Sequence, residues 1–376
     1  MHKAESLKNM AKRIIISGGG TGGHIFPAIS IANALKRLDP ATEILFVGAK
    51  GRMEMEKVPS AGYPIVGLDI QGFQRKSVLK NLLLPFKLFG SLLKARSVVR
   101  KFKPDAAVGV GGYASGPLLY AAGRMKVPYL IQEQNSYAGI TNKRLGDKAA
   151  RICVAFDGMD KFFPSEKILL TGNPIRKEAV DISGKREEAL AFFGLSSTKK
   201  TILVTGGSLG AGTLNRSMLA GMYKFMAEDI QVIWQTGRFY YKMVMDEIGE
   251  GPHPNFHVTE FLNRMDLAYA AADIIVARAG AGTIAELCVV KKPVILVPSP
   301  NVAEDHQTKN AASLVKHGAA VLVTDQNAEK ELADVALNVL KNEQRCAELS
   351  ERIGELALPD ADEVIAREVL RIATEL

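Results

Sequence analysis

The stretch from Arg13 to Leu35, RIIISGGGTGGHIFPAISIANAL, constrains this chain more than any other. Ile14, Ile15, Ile16 and Ser17 read as a short buried strand. Gly18, Gly19, Gly20, Gly22 and Gly23 make a loop almost without side chains, and an apolar helical pattern follows, with Pro27 suited to its first turn. Strand, glycine loop and helix open a mononucleotide-binding half. Bare backbone lets a ligand come close, and a helix N-terminus offers N–H groups to an anion. The same grammar returns at Thr201–Thr205 (strand), Gly206–Gly212 (GGSLGAG) and Asn215–Phe225 (helix). Two Rossmann-like units in one α/β chain follow. Neither loop fits GxxxxGK[ST], which argues against a P-loop NTPase.

The 376 residues suit two domains, each able to bury its own core. Cys153, Cys288 and Cys346 are an odd number without CxxC spacing, which points to a reducing compartment and away from disulfides or structural zinc. Met1 to Lys12 is polar and shows no signal peptide, Met1 to Ala11 predicts a loose tail, and no apolar run approaches a membrane span. The net charge of +8 hides an asymmetry: 27 Lys and Arg face 12 Asp and Glu up to Arg176, against 21 and 28 beyond it. An anionic partner should meet the first half; nothing in the pattern asks for nucleic acid.

Strands are expected at Arg13–Ser17, Glu43–Val47, Pro64–Leu68, Asp105–Val110, Val127–Gln132 and Ala150–Ala155, after which Lys167–Leu170 leads into a turn-rich stretch. A second set is expected at Thr201–Thr205, Ile230–Gln235, Phe256–Val258, Asp273–Ala277, Pro293–Val297 and Ala319–Val323. Alternation with helices favours parallel sheets. Four parts result: a tail over 1–11, a first domain over 12–176, a second over 177–354, and a C-terminal helix over 355–376 that packs back on the first domain. The turn-rich TGNPIR at Thr171–Arg176 is the hinge between the two domains.

Gly18, Gly20 and Gly23 match the dinucleotide fingerprint GxGxxG, but the next strand ends Val47-Gly48-Ala49-Lys50 without the ribose-binding acid. A nicotinamide cofactor is therefore not expected. Further polar loops close later strands: Gly111–Pro117 (GGYASGP), Gln132–Asn135 (QEQN), and Arg278–Glu286 (RAGAGTIAE), with Asp305–Asn310 (DHQTKN) beyond. Thr283-x-x-Glu286 reads equally as a capping box and as a phosphate seat whose Glu286 holds a ribose. Between Asp69 and Asp105 there is no acidic residue, while nine basic ones, Arg75, Lys76 and Lys80 among them, alternate with Leu82, Leu83, Leu84, Phe86 and other apolar residues. One face can pack on the sheet; the remainder suits a helix resting on anionic lipid.

These segments, in this order, resemble the MurG family of N-acetylglucosaminyltransferases: GGGTGGH, GGYASGP, EQN, GNPIR, GGSLGA, TEFL (Thr259–Leu262), RAGAGTIAE and DHQTKNA. The resemblance runs from Lys12 to the C-terminus. It implies a GT-B glycosyltransferase, two Rossmann-like domains facing an inter-domain cleft. The implied reaction is inverting transfer of N-acetylglucosamine from UDP-N-acetylglucosamine to the C4 hydroxyl of lipid I, giving lipid II in peptidoglycan synthesis. Carried over by motif, Thr21, Gly22, Gly23, Asn135, Arg176, Ser208, Leu262, Ala281, Gly282, Thr283, Ile284, Ala285, Glu286 and Gln307 would bind the donor. Gly19, Gly20, Gly111, Gly112, Tyr113 and Ser115 would receive the acceptor diphosphate, and Arg75, Lys76, Lys80, Leu82, Leu83, Leu84, Phe86 and Lys87 would meet the membrane. No metal or cofactor is implied; Asp360-Ala361-Asp362 matches DxD but opens a helix. The implied setting is the cytoplasmic face of the bacterial membrane, beside other cell-wall enzymes. For the base, His24 is favoured over Glu133, because a positive helix end disfavours imidazolium and an ordinary carboxylate is a weak base unless desolvated. The rivals are another UDP-sugar GT-B enzyme, a nucleotide-sugar epimerase, or a non-catalytic UDP-sugar sensor.

Overall fold

Why Ile14, Ile15 and Ile16 form a central strand is visible in their burial: all three are inaccessible to solvent. Each buried isoleucine contributes about 1.5–3 kcal/mol, and β-branched side chains favour the pleated backbone. The computed structural model describes residues 11–71, 84–249 and 254–375, which form two compact units. One comprises the chain up to Ile175 together with the segment from Asp360; the other is Arg176–Pro359.

In the first unit the strands are β1 (Arg13–Gly18), β2 (Glu43–Ala49), β3 (Ile65–Leu68), β4 (Ala106–Gly111), β5 (Tyr129–Glu133), β6 (Arg151–Val154) and β7 (Ile168–Leu170). They form one parallel sheet in the order β3-β2-β1-β4-β5-β6-β7. In the second, β8 (Thr201–Thr205), β9 (Gln231–Gln235), β10 (Phe256–Thr259), β11 (Ile274–Ala277), β12 (Val294–Leu296) and β13 (Val321–Leu322) run in the order β10-β9-β8-β11-β12-β13, also parallel. Both sheets reverse direction of winding beside their first strand, between β1 and β4 and between β8 and β11. Open α/β sheets hold ligands at the carboxyl ends of such a pair.

The helices that matter in the first unit are α1 (Gly22–Leu38), α2 (Glu54–Ser60), α3 (Leu84–Phe102), α4 (Ser115–Arg124) and α5 (Ile140–Gly146). Helix α1 begins earlier than its sequence suggests. Gly22 and Gly23 are already wound, the first helical bonds running from His24 and Ile25 N–H to the Thr21 carbonyl at 3.1 Å, so Pro27 sits in the second turn. Glycine disfavours helix by about 1 kcal/mol relative to Ala, so the start there rests on packing rather than propensity. Ile25, Ala28, Ile31, Ala32 and Leu35 give α1 its buried stripe. Gly18 brings α1 close: a Cβ there would stand 2.7 Å from that of Ala28.

The second unit carries α6 (Gly212–Ala227), α7 (Met265–Ala271), α8 (Ala281–Val290), α9 (His306–Lys316) and α10 (Ala328–Lys341). Helix α11 (Ala361–Ile372) belongs to the first unit, its Ile365, Ala366, Val369 and Ile372 sharing a core with Ile14, Ile16 and α1. Arg37 to Asp362 (2.5 Å) and Arg151 to Glu368 (3.2 Å) tie its edges. Asp362 of the DxD match is thus buried against an arginine. No described helix is long and apolar enough to cross a membrane.

Candidate functional site

In the first unit the loops after β1 and β4 lock together. The Gly19 N–H donates to the Gly111 carbonyl (3.3 Å), and a Cβ on Gly112 (φ +90°) would meet the Gly19 backbone at 2.4 Å. Gly111 (φ +111°) makes room for His24, whose ring Cδ2 would lie 2.4 Å from a Cβ. His24 therefore lies against the second loop, its Nδ1 3.4 Å from the Thr21 hydroxyl. Gly22 and Gly23 N–H groups precede the first helical bonds of α1, the usual seat of an anion. Tyr113 is 45% exposed beside Gly20, with the Arg52 guanidinium 5.7 Å above its ring. Ser115 points the other way: its hydroxyl is buried, as is that of Ser17, and neither has a partner among the described residues.

Glu133 is held by three donors. Its carboxylate is buried and accepts from Asn135 N–H (3.1 Å), Gly139 N–H (3.1 Å) and Asn142 Nδ2 (2.8 Å). Burial pushes its pKa up, opposed by these bonds. The residue staples the turn from β5 into α5, and half-buried Asn135 stands on that turn. Gln132 to Asn173 (2.8 Å) and Asn173 to the Gln134 carbonyl (3.0 Å) extend the staple to the GNPIR segment.

In the second unit the start of α8 meets an acidic group from within its own helix. Thr283 and Glu286 do not form a capping box: Gly280 is the N-cap and makes no side-chain bond, which leaves Thr283 in the first turn and Glu286 in the second. The helix starts three residues earlier than the box requires, because Gly280-Ala281-Gly282 can wind without steric cost. Glu286 instead accepts from the Tyr269 hydroxyl of α7 at 3.2 Å and pairs with Arg176 at 3.3 Å. Burial holds its pKa above the ordinary range, against Arg176, and burial with the adjacent carboxylate drives the Tyr269 phenol well above its own. Gly282 and Thr283 N–H groups precede the first helical bond, Ile284 N–H to Gly280. Ile284 is buried and Ala285 half-buried behind them.

The other expected residues of the second unit stand on the loops after its strands and at a helix start. Ser208 is exposed on the loop after β8, and Leu262 is buried after β10. Gln307, at the start of α9, accepts from Ser299 N–H at 2.9 Å. Arg278, next to Gly280, is spent on the Val297 carbonyl (2.9 Å) and Asp325 (2.5 Å), a structural clasp. Two residues that sequence reading passed over are Glu54 and Tyr269. Tyr269 lies in an apolar run and is fully buried, so it reads as core. Glu54 follows no motif and is buried beneath the first glycine loop.

Of the expected membrane segment, Arg75, Lys76, Lys80, Leu82 and Leu83 lie outside the described residues, as does the tail over residues 1–10; Leu84 opens α3. The rest of α3 has two faces. Ser91, Ala95 and Val99 pack inward, while Phe86, Leu88, Phe89 and Leu93 are 77%, 47%, 64% and 54% exposed. Lys87 pairs with Asp69 at 3.3 Å.

Residues 14–154 match the glycosyltransferase family 28 N-terminal domain and residues 201–365 its C-terminal domain. The chain is 57% identical over 367 residues to a UDP-N-acetylglucosamine–N-acetylmuramyl-(pentapeptide) pyrophosphoryl-undecaprenol N-acetylglucosamine transferase of Bacteroides fragilis, covering 97% of each. The enzyme of the same name from Cytophaga hutchinsonii is 54% identical over 360 residues, 96% of each. Among solved structures, MurG of Acinetobacter baumannii superposes with a TM-score of 0.80 at 29% identity, over 96% of this chain and 99% of that one.

Proposed function

The chain belongs to the MurG family within glycosyltransferase family 28, and from that premise we propose how its residues perform the family's transfer. The protein is an N-acetylglucosaminyltransferase of GT-B fold that makes lipid II for peptidoglycan. Its donor is UDP-N-acetylglucosamine and its acceptor the undecaprenyl diphosphate-linked muramoyl pentapeptide.

The second unit holds the donor. Glu286 accepts the ribose hydroxyls, the N–H groups of Gly282 and Thr283 meet the diphosphate, and the Leu262 backbone reads the uracil, with Ala281, Ile284 and Ala285 completing that helix turn. Arg176, Ser208, Gln307, Thr21, Gly22, Gly23 and Asn135 contribute further contacts. As the C4 hydroxyl attacks the anomeric carbon, that carbon's bond to the diphosphate oxygen breaks with inversion and UDP leaves. The charge that develops on the diphosphate is met by Arg176 and the α8 N–H groups. The proton of the attacking hydroxyl goes to His24, which lies against Gly111 and is held near Thr21. Gly19, Gly20, Gly111, Gly112, Tyr113 and the backbone of Ser115 receive the acceptor's diphosphate.

The observation that carries this reading is the largely buried Glu286, oriented by Tyr269 and paired with Arg176 in the second turn of α8. A carboxylate kept at the cost of burial needs a use, and vicinal hydroxyls supply one. The exposed Phe86, Leu88, Phe89 and Leu93 support docking of α3 on an anionic membrane surface, at the cytoplasmic face where the lipid acceptor resides. Release of UDP from UDP-N-acetylglucosamine, with and without a lipid I analogue, tests the whole reading. Turnover that needs no acceptor, or none with it, refutes it.

A further inference from the structure

Glu54 sits where a carboxylate is expensive. It is 1% exposed, at the start of α2, beneath the loop that follows β1. One oxygen accepts the N–H of Gly20 at 2.9 Å, and the other accepts the N–H of Ala49, the last residue of β2, at 3.0 Å. One side chain thus ties together the carboxyl ends of two neighbouring strands. Two glycines make its berth. A Cβ on Gly19 would stand 2.3 Å from its Oε1, and one on Gly48 would stand 2.6 Å from its Cγ. The group is anchored, filled and fitted from three sides, which a solvated loop would not require, since water can satisfy loop amides at no cost of burial.

Its reach extends further through the contacts already described. Fixing Gly20 (φ +87°) fixes Gly19, whose N–H meets the Gly111 carbonyl and whose backbone seats Gly112. Gly111 in turn abuts the His24 ring. We propose that Glu54 is the positioning residue of the acceptor side, holding the first glycine loop, and through it the second loop and His24, in the geometry that receives the acceptor's diphosphate. This rests on the transferase reading above. It also makes the GxGxxG match ill suited to a dinucleotide: the Gly20 N–H is already engaged, and the carboxylate occupies the space under Gly19.

The test compares wild type with Glu54→Gln and Glu54→Asp in two assays. In the amide variant one of the two N–H groups faces an NH2 instead of an oxygen, and the aspartate keeps the charge but loses the reach. Loss of one charge-assisted bond predicts a fall of about 10- to 100-fold in kcat/KM for a lipid I analogue, with a smaller rise in donor KM because Thr21, Gly22 and Gly23 share the loop. Hydrogen exchange over Gly19–Gly23, read by mass spectrometry without substrate, rises by a similar factor, while exchange over Gly206–Gly212 does not change. Wild-type turnover alone judges the transferase reading, and the exchange measurement judges Glu54 whatever that outcome. The inference is overturned if loop exchange stays at the wild-type rate in both variants. It is equally overturned if exchange rises throughout the chain and donor and acceptor constants decline together, for then Glu54 serves stability only.

Discussion

Replacing Glu286 by Gln separates binding from stability because the two respond in opposite directions. In the folded chain the carboxylate is largely buried and its pKa is raised, so the ionised form is disfavoured relative to the unfolded chain. A glutamate whose folded pKa is raised gives its stability below its unfolded pKa and loses it as pH climbs through the folded value. At neutral pH the ionised group therefore costs stability, and Gln removes that cost. The Tyr269 hydroxyl keeps an acceptor in the Gln carbonyl, and Arg176, with its side chain 58% exposed, loses a partner it shares with water. Melting temperature should thus hold or rise at pH 7, and the advantage of Gln should vanish in acid. Donor binding should move the other way. An amide has one acceptor oxygen, already engaged by Tyr269, where the carboxylate keeps a second, facing the exposed Arg176, for the ribose. The loss is about 1.5–3 kcal/mol, or roughly 10- to 150-fold in Kd. Calorimetric titration with UDP and thermal melts over a pH series provide both readings. A lower melting temperature at neutral pH with unchanged UDP affinity would refute the reasoning and leave Glu286 a structural residue.

His24→Ala should lower kcat on the order of 10²-fold with little change in donor KM. Gly111→Ala should do comparable harm without touching the imidazole chemically, because its methyl would occupy the ring's position; near-normal kcat in both variants would remove His24 as base. Glu133→Gln should act chiefly on stability, by about 1–3 kcal/mol and several degrees of melting temperature, since its three donors then face one acceptor fewer; a large kcat loss in a fully folded variant would return it to the chemistry. Phe86→Ser with Phe89→Ser should weaken binding to anionic vesicles while activity on a short-chain soluble acceptor persists. Equal vesicle binding would make α3 an ordinary crossover helix.

Both sheets were legible because each strand is a local signal: a few β-branched residues ended by glycine or a polar turn. Strand ends moved by one or two residues, as with β2, which runs on to Ala49. Errors arose where local patterns had two readings. Thr283-x-x-Glu286 has capping-box spacing, yet Gly280-Ala281-Gly282 winds into helix first and carries Glu286 inward to Tyr269. Pro27 likewise read as a first-turn residue because two glycines ahead of it gave no sign of being helical. The residues missed altogether depend on partners far along the chain. Glu54 meets Gly20 across 34 positions, and Tyr269 meets Glu286 across 17. No periodicity reports such contacts; only the packing of neighbouring strand ends creates them.

The return of α11 to the first unit gives that unit an order of assembly. Its sheet and α1 are translated early, but the helix covering the apolar outer side of α1 emerges only after the 184 residues of Arg176–Pro359 have left the ribosome. At roughly 5–20 residues per second, that is an interval on the order of 10–40 s. Throughout it Arg37 and Arg151 lack the acidic residues they meet in the finished fold, Asp362 and Glu368. The nascent first unit is thus an open surface that a chaperone can hold, and the second unit has time to fold before the first is closed.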